Sequence, residues 1–204
     1  MARVLVLGTK NQKKRNELLD LLGLPEIELK TLAEFPPLPE VIEDGESFLE
    51  NATKKAVEVA RSLGCWTLGE DSGLAVDALG GKPGIFSARW SGEPCDDERN
   101  NDKLLRELEG VPPERRSAHY VCASVVADPD GNVRASAEGR CEGRITTHRR
   151  GTGGFGYDPL FLIVDQGKTF GELPISFKHQ RSHRAAAVAL LKPQLSALIQ
   201  RGIW

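Results

Sequence analysis

The pentapeptide Asp128-Pro129-Asp130-Gly131-Asn132 constrains this chain more than any other stretch, because it separates two strand-forming runs, Tyr120 to Ala127 and Val133 to Cys141. Proline, aspartate and glycine in that order turn a chain back on itself, so the pattern predicts a hairpin and an antiparallel pair. The N-terminus predicts a different connection. Arg3 to Leu7 is a β-branched and leucine-rich run closed by Gly8; after a polar cluster, Leu18, Leu19, Leu21 and Leu22 form a helical face that ends at Gly23 before Pro25. Strand, polar loop and helix then lead to a second strand over Ile27 to Leu32. A chain that uses both connections is expected to fold as α/β (α+β by some schemes), with helices flanking a mixed sheet.

The remaining elements follow from local chemistry. Phe35-Pro36-Pro37-Leu38-Pro39 forces an extended connection, since proline neither continues a helix nor donates to a ladder. Ser47 and Glu50 fit a capping box, and Phe48, Ala52, Ala56, Val59, Ala60 and Leu63 give the following helix an apolar face that stops at Gly64. Trp66 to Leu68 predicts a short strand that delivers Glu70 and Asp71 to a turn at Ser72-Gly73. Asp96 to Glu109 predicts a polar helix ended by Pro112-Pro113, Gly151 to Gly156 a loop, and Pro159 to Val164 a strand. A C-terminal helix is expected from about Ser182, with a kink or break at Pro193.

At 204 residues the chain is long enough for one sizeable core, and a single domain over 1–204 is expected. A net charge of -2 offers no global field for a nucleic-acid polymer, so an anionic ligand must be met locally. The longest apolar stretch, Ala185 to Leu191, is far below the roughly 18 residues of a membrane span. No membrane partner is expected, and with no secretory signal the expected location is the cytoplasm. Cys65, Cys95, Cys122 and Cys141 are widely spaced and are expected to be free thiols.

Several segments carry candidate chemistry. Thr9, Lys10, Asn11, Gln12, Lys13 and Lys14 combine hydroxyl, amide and ammonium groups at a helix start, where unpaired N–H groups and the helix dipole favour anions. Phosphate binding and a solvated basic helix start both account for that composition, and it is not a Walker loop. Glu70 and Asp71 are adjacent carboxylates at a strand end. Asp71 with a second acid from elsewhere suits magnesium, which takes one or two carboxylates plus substrate phosphates; a plain surface turn has the same composition. Gly151-Thr152-Gly153-Gly154-Phe155-Gly156 satisfies a dinucleotide pattern formally, but a strand-forming segment follows where a helix is required. A glycine-rich loop closed by Phe155, Gly156, Tyr157 and Asp158 instead offers an aromatic platform and a polar reader for a planar base. Lys178, His183 and Arg184 form a compact set of donors, for an anion, a carbonyl oxygen or solvent. His179 and His183 are spaced like zinc ligands, but Gln180 stands where the motif needs glutamate.

Taken together, Thr9-x-Asn11-x-x-Lys14, Ser47-Phe48-x-Glu50-Asn51-Ala52, Glu70-Asp71-Ser72-Gly73-Leu74, Gly153-Gly154-Phe155-Gly156-Tyr157-Asp158-Pro159 and Lys178 with Ser182-His183-Arg184 resemble the inosine triphosphate pyrophosphatase family. These are the XTP/dITP diphosphatases, and the resemblance covers nearly the whole chain in the family's order. It implies an elongated mixed sheet between two lobes, a central active-site cleft and a homodimer. It also implies hydrolysis of ITP, dITP and XTP to the monophosphate and pyrophosphate, with Mg2+ as cofactor. By the same resemblance Asp71 is the general base and a metal ligand, and Glu43 is the second acidic ligand. Thr9 to Lys14 with Lys55 form the triphosphate cradle, and Ser72 touches substrate. Phe155, Gly156, Tyr157, Asp158, Lys178, His183 and Arg184 form the base pocket. Bacterial members often carry aspartate where this chain has Glu70 and a small residue where it has Lys10. The alternative reading is a regulator that binds a nucleotide without hydrolysing it.

Overall fold

A computed structural model describes residues 3–204. Seven strands form one sheet in the order β2-β1-β3-β4-β5-β6-β7. Strand β1 (Arg3–Leu7) pairs in parallel with both β2 (Ile27–Thr31) and β3 (Thr67–Val76). Strand β4 (Ser117–Ala127) neighbours β5 (Val133–Ile145) through the tight 128–132 loop, as the turn signal predicts. Strand β6 (Phe161–Ile163) pairs antiparallel with β5, and β7 (Lys168–Thr169) pairs antiparallel with β6. The mixed α/β fold expected from the two kinds of connection is therefore the one observed.

Among the described residues five α-helices accompany the strands: α1 (Gln12–Leu22), α2 (Phe48–Leu63), α3 (Asp97–Glu107), α4 (Ile175–Arg181) and α5 (His183–Gln200). Ser47 caps α2 by accepting from Glu50 N at 3.1 Å, and Gly64 closes it in the left-handed conformation at φ 61°. The reciprocal bond of the capping box is displaced by one residue, because Glu50 Oε2 accepts from Glu46 N rather than from Ser47.

Contacts divide the chain into two compact units that are not consecutive in sequence. The first contains residues 1–71, 122–139 and 183–204; the second contains 72–121 and 140–182. In the first, β4 shows the two-residue period of a strand buried on both faces. Ala123, Val125 and Ala127 pack with Ala52, Ala56 and Ala60 of α2, whereas Val126 joins Leu18 and Leu22 of α1 and Val188, Leu191 and Leu195 of α5. The core of the second unit is richer in aromatic residues: Tyr120, Tyr157, Phe161 and Phe170 gather around Leu74, Leu104 and Ile145.

Two local expectations are corrected. Strand β3 does not stop before Ser72-Gly73: Glu70, Asp71, Ser72 and Gly73 all lie inside one continuous strand. Its glycines serve close packing rather than a turn, since a Cβ on Gly69 would lie 2.5 Å from Ala56 N and one on Gly73 would collide with Ser87. Nor is there a break at Pro193, which sits inside α5. Leu191, Leu195 and Leu198 on either side of it are all buried in the first unit's core, which offsets the hydrogen bond that proline cannot donate.

Candidate active site

The first unit brings charged groups together through a seam of small residues. Gly69 on β3 has no side chain to hold α2 away, and Ala52, Ala56 and Ala60 give that helix a flat surface. The helix backbone therefore lies close enough for the side chains at positions 51 and 55, one turn apart, to reach the next residue pair of the strand. Lys55 Nζ stands 3.1 Å from Asp71 Oδ1 and 3.0 Å from Glu43 Oε2. Lys14, from the first turn of α1, stands 3.5 Å from Glu70 Oε2 and 3.9 Å from Asp71 Oδ1. Asn51 Nδ2 donates to Asp71 Oδ2 at 3.4 Å.

Asp71 is only 5% exposed. Burial raises its pKa above the ordinary carboxylate range; Lys14 and Lys55 pull it down, while Glu70 and Glu43 push it up again. Burial acts on Lys55 in the opposite sense and would lower its pKa, but Asp71, Glu43 and Glu70 overcome that and leave it raised. The rise for Asp71 comes first from its burial, and that for Lys55 from the carboxylates around it. Four carboxylates, Glu17, Glu43, Glu70 and Asp71, are linked with three cations, Lys14, Lys55 and Arg184.

Arg184 is deep in the same unit, at the first turn of α5, where its guanidinium pairs with Glu17 and, at 3.2 Å, with Glu70 Oε1. Glu70 Oε1 also accepts from the Cys122 thiol at 3.3 Å, and burial raises the pKa of that thiol. His183 precedes Arg184 and is buried. The polar loop before α1 organises itself: Asn11 Oδ1 caps the helix by accepting from Lys13 N at 3.0 Å and Lys14 N at 3.1 Å, and Thr9 Oγ1 accepts from Asn11 N at 3.2 Å. Thr9, Lys10, Gln12 and Arg15 line a cavity of about 330 Å³ closed by Thr31 to Ala33 and Pro36 to Leu38. Lys13 is exposed. Lys14 reaches the Glu70 and Asp71 carboxylates.

In the second unit a different cluster is organised by Asp158, whose Oδ2 accepts from Phe155 N at 2.8 Å and from Lys178 Nζ at 2.6 Å. The Lys178 ammonium also lies 4.3 Å from the centre of the Phe155 ring, a cation–π distance. Asp158 and Lys178 are both almost fully buried. Gly156 is held from both sides, its N–H by Asp97 at 3.0 Å and its carbonyl by Asn101 at 2.9 Å. Tyr157 turns into the core, where its hydroxyl donates to Ser87 O at 2.8 Å and burial raises its pKa. Ser72 opens this unit directly after Asp71 on β3.

A sequence model of the Ham1 family matches residues 5–194. The chain belongs to the Ham1 family. Among its relatives is the dITP/XTP pyrophosphatase of Rhodopirellula baltica, 54% identical over 96% of this chain and 94% of that protein. The dITP/XTP pyrophosphatase of Desulfotalea psychrophila is 48% identical over 98% of this chain and 88% of its own length. The solved structure of the Staphylococcus aureus Ham1 protein superimposes with a TM-score of 0.86 at 36% identity, covering 96% of this chain and 99% of that one.

As a Ham1 chain, this protein has a donor set that fits a magnesium ion. Glu43 and Asp71 offer hard oxygen donors already drawn together on one ammonium. Among the described residues no cluster of three or more metal-ligating side chains occurs. Magnesium commonly takes one or two carboxylates together with phosphate oxygens. Sequence reasoning missed Glu17 and gave Asn51 no role. Glu17 could have been found, because it lies three residues after Lys14 on the helical face shared with Leu18, where a carboxylate needs a partner.

Proposed function

We propose that this chain hydrolyses ITP, dITP and XTP to the nucleoside monophosphate and pyrophosphate, and so removes non-standard purines from the nucleotide pool. The observation that carries the reading is the buried Asp71 carboxylate, flanked by Lys14 and Lys55. Its relatives named dITP/XTP pyrophosphatase support the same substrate class.

In this reading a water attacks the α-phosphorus, Asp71 takes the water's proton, and the α–β anhydride bond breaks so that pyrophosphate leaves with the bonding electrons. Lys14 and Lys55, with Thr9 to Lys13 and Ser72, meet the charge of the triphosphate. Glu43 and Asp71 would hold Mg2+, which when bound polarises phosphate oxygens and offsets the charge developing on the leaving group. Phe155 offers a face for stacking, and Gly156, Tyr157 and Asp158 shape the loop around it. Of the proposed donors to a 6-oxo purine, Lys178 lies in the second unit beside Phe155, and His183 and Arg184 lie in the first. A site built to donate to that oxygen rejects a 6-amino purine by as much as roughly 10⁴–10⁵. The protein works in the cytoplasm as a homodimer.

Incubation with ITP, dITP, XTP or ATP, with and without Mg2+, followed by product analysis, tests the reading. Pyrophosphate and monophosphate from ITP, dITP and XTP, dependent on metal and far faster than from ATP, are expected. Orthophosphate alone would mark a phosphatase, and tight nucleotide binding without any product would mark a regulator.

A further inference from the structure

Asn51 belongs to neither the acids nor the cations of the first unit, yet it is completely buried among them. Its side-chain oxygen accepts from Gly45 N at 2.8 Å, and its side-chain nitrogen donates to Asp71 Oδ2 at 3.4 Å. The backbone N–H of Gly45 can only donate, so the amide is fixed with its NH2 group toward Asp71. Gly45 lies two residues beyond Glu43, on the segment between Pro39 and Ser47 that has no helix or strand of its own.

This segment is tied to α2 at successive points. Lys54 pairs with Asp44, Asn51 holds Gly45, and Glu50 holds Glu46. Only the Asn51 link continues to Asp71 as a hydrogen bond through an uncharged group. Lys55 joins the same two acids by charge, and its ammonium occupies the region where a divalent cation would also be drawn. The separation of the two carboxylates therefore needs a support that persists when the charges around them change. Asn51 is such a support, since its bonds run to a backbone N–H and to the second Asp71 oxygen, the one Lys55 does not touch.

We propose that Asn51 is a positioning residue that fixes the Glu43 segment relative to Asp71 and thereby sets the affinity of the site for a divalent cation. The inference rests on the reading of Glu43 and Asp71 as the acidic ligands. Removing an outer partner of metal ligands typically lowers metal affinity by about 10–100-fold.

Two substitutions break the link from opposite sides. Asn51→Ala removes both bonds. Gly45→Ala leaves Asn51 and both acids in place, but its Cβ would lie 2.7 Å from Asn51 Oδ1 and 2.8 Å from Glu50 Cβ and push the segment away. Binding of Mn2+ to the nucleotide-free protein, followed by electron paramagnetic resonance, and the Mg2+ concentration for half-maximal ITP hydrolysis would be measured for both. We expect both to weaken by about 10–100-fold, with KM for ITP at saturating Mg2+ little changed and turnover largely restored by excess Mg2+. A lowered melting temperature with unchanged Mn2+ affinity would overturn the inference and leave Asn51 a purely structural residue. If Asn51→Ala does not fold, Gly45→Ala carries the test alone. Failure of the wild-type protein to release pyrophosphate from ITP would instead strike the functional reading, whatever the variants do.

Discussion

The two charged clusters of this protein are built in contrasting ways. In the first unit Lys14, Asn51, Lys55 and Asp71 stand on helices and a strand, held close by the small-residue packing of α2 against Gly69. Several carboxylates and cations share that region, and no single pair accounts for its electrostatics. In the second unit one buried pair, Asp158 with Lys178, organises an irregular glycine-rich loop and the Phe155 ring on it. The first arrangement suits chemistry that needs groups held rigidly while charge moves; the second suits recognition of a flat, largely apolar ligand by a loop.

If that contrast is right, substitution should damage the two clusters differently. Asp71→Asn should lower kcat for ITP by roughly 10²–10⁴. The circular dichroism spectrum and a cooperative melt should be retained, because the amide keeps the shape and the strand stays paired. A turnover near that of the wild type would remove Asp71 from the base role. Lys178→Met should act mainly on stability, because it removes the ammonium paired with the buried Asp158 carboxylate. Loss of one partner of such a pair costs about 3–5 kcal/mol, measurable by urea unfolding; a cost below 1 kcal/mol would show that the pair does not organise its loop.

Phe155→Ala sharpens the comparison further. Stacking of a base on an aromatic ring contributes roughly 1–3 kcal/mol, so KM for ITP should rise by about 5–150-fold while kcat at saturation changes little. An equal fall in kcat would mean that the loop takes part in the chemical step.

The smallest effect is expected at the hairpin. Asp128 Oδ1 accepts from Asn132 N at 2.8 Å and Asp130 N at 3.1 Å, and Oδ2 from Arg134 Nε at 2.7 Å. Burial raises its pKa, but the bonds from Asn132 and Arg134 outweigh that and leave it below the ordinary value. The ionised carboxylate therefore stabilises the fold above the ordinary carboxylate range, and that contribution disappears as pH falls through the lowered value. Asp128→Asn should cost about 1 kcal/mol at neutral pH and progressively less in acid. A difference independent of pH would contradict the role of the charge.

Much of this was legible in the sequence where local chemistry and tertiary packing agree. The Asp-Pro-Asp-Gly-Asn turn specifies its hairpin, and Ser47, the alanine face and Gly64 bound α2 to within a residue. The misreadings came where packing overrides a local signal. Ser72-Gly73 has turn composition, but the chain stays extended because the glycines of β3 admit Ala56 and Ser87. Pro193 has a breaker's chemistry, but the buried leucines around it hold α5 together. Among the site residues, the association of Asp71, Lys55 and Lys14 rested on the family resemblance, because they are remote in sequence and nothing local joins them. Arg184 could be recognised as a donor, but its pairing with Glu17 and Glu70 depends on three separate elements. Asn51 stayed hidden because a buried amide leaves no periodic or charge signature.

The most direct test of the account is hydrolysis of ITP in water enriched in ¹⁸O, with mass spectrometry of both products. Attack at the α-phosphorus, with Asp71 taking the proton from that water, places one ¹⁸O in inosine monophosphate and none in pyrophosphate. Label in pyrophosphate, or release of labelled orthophosphate, would contradict it.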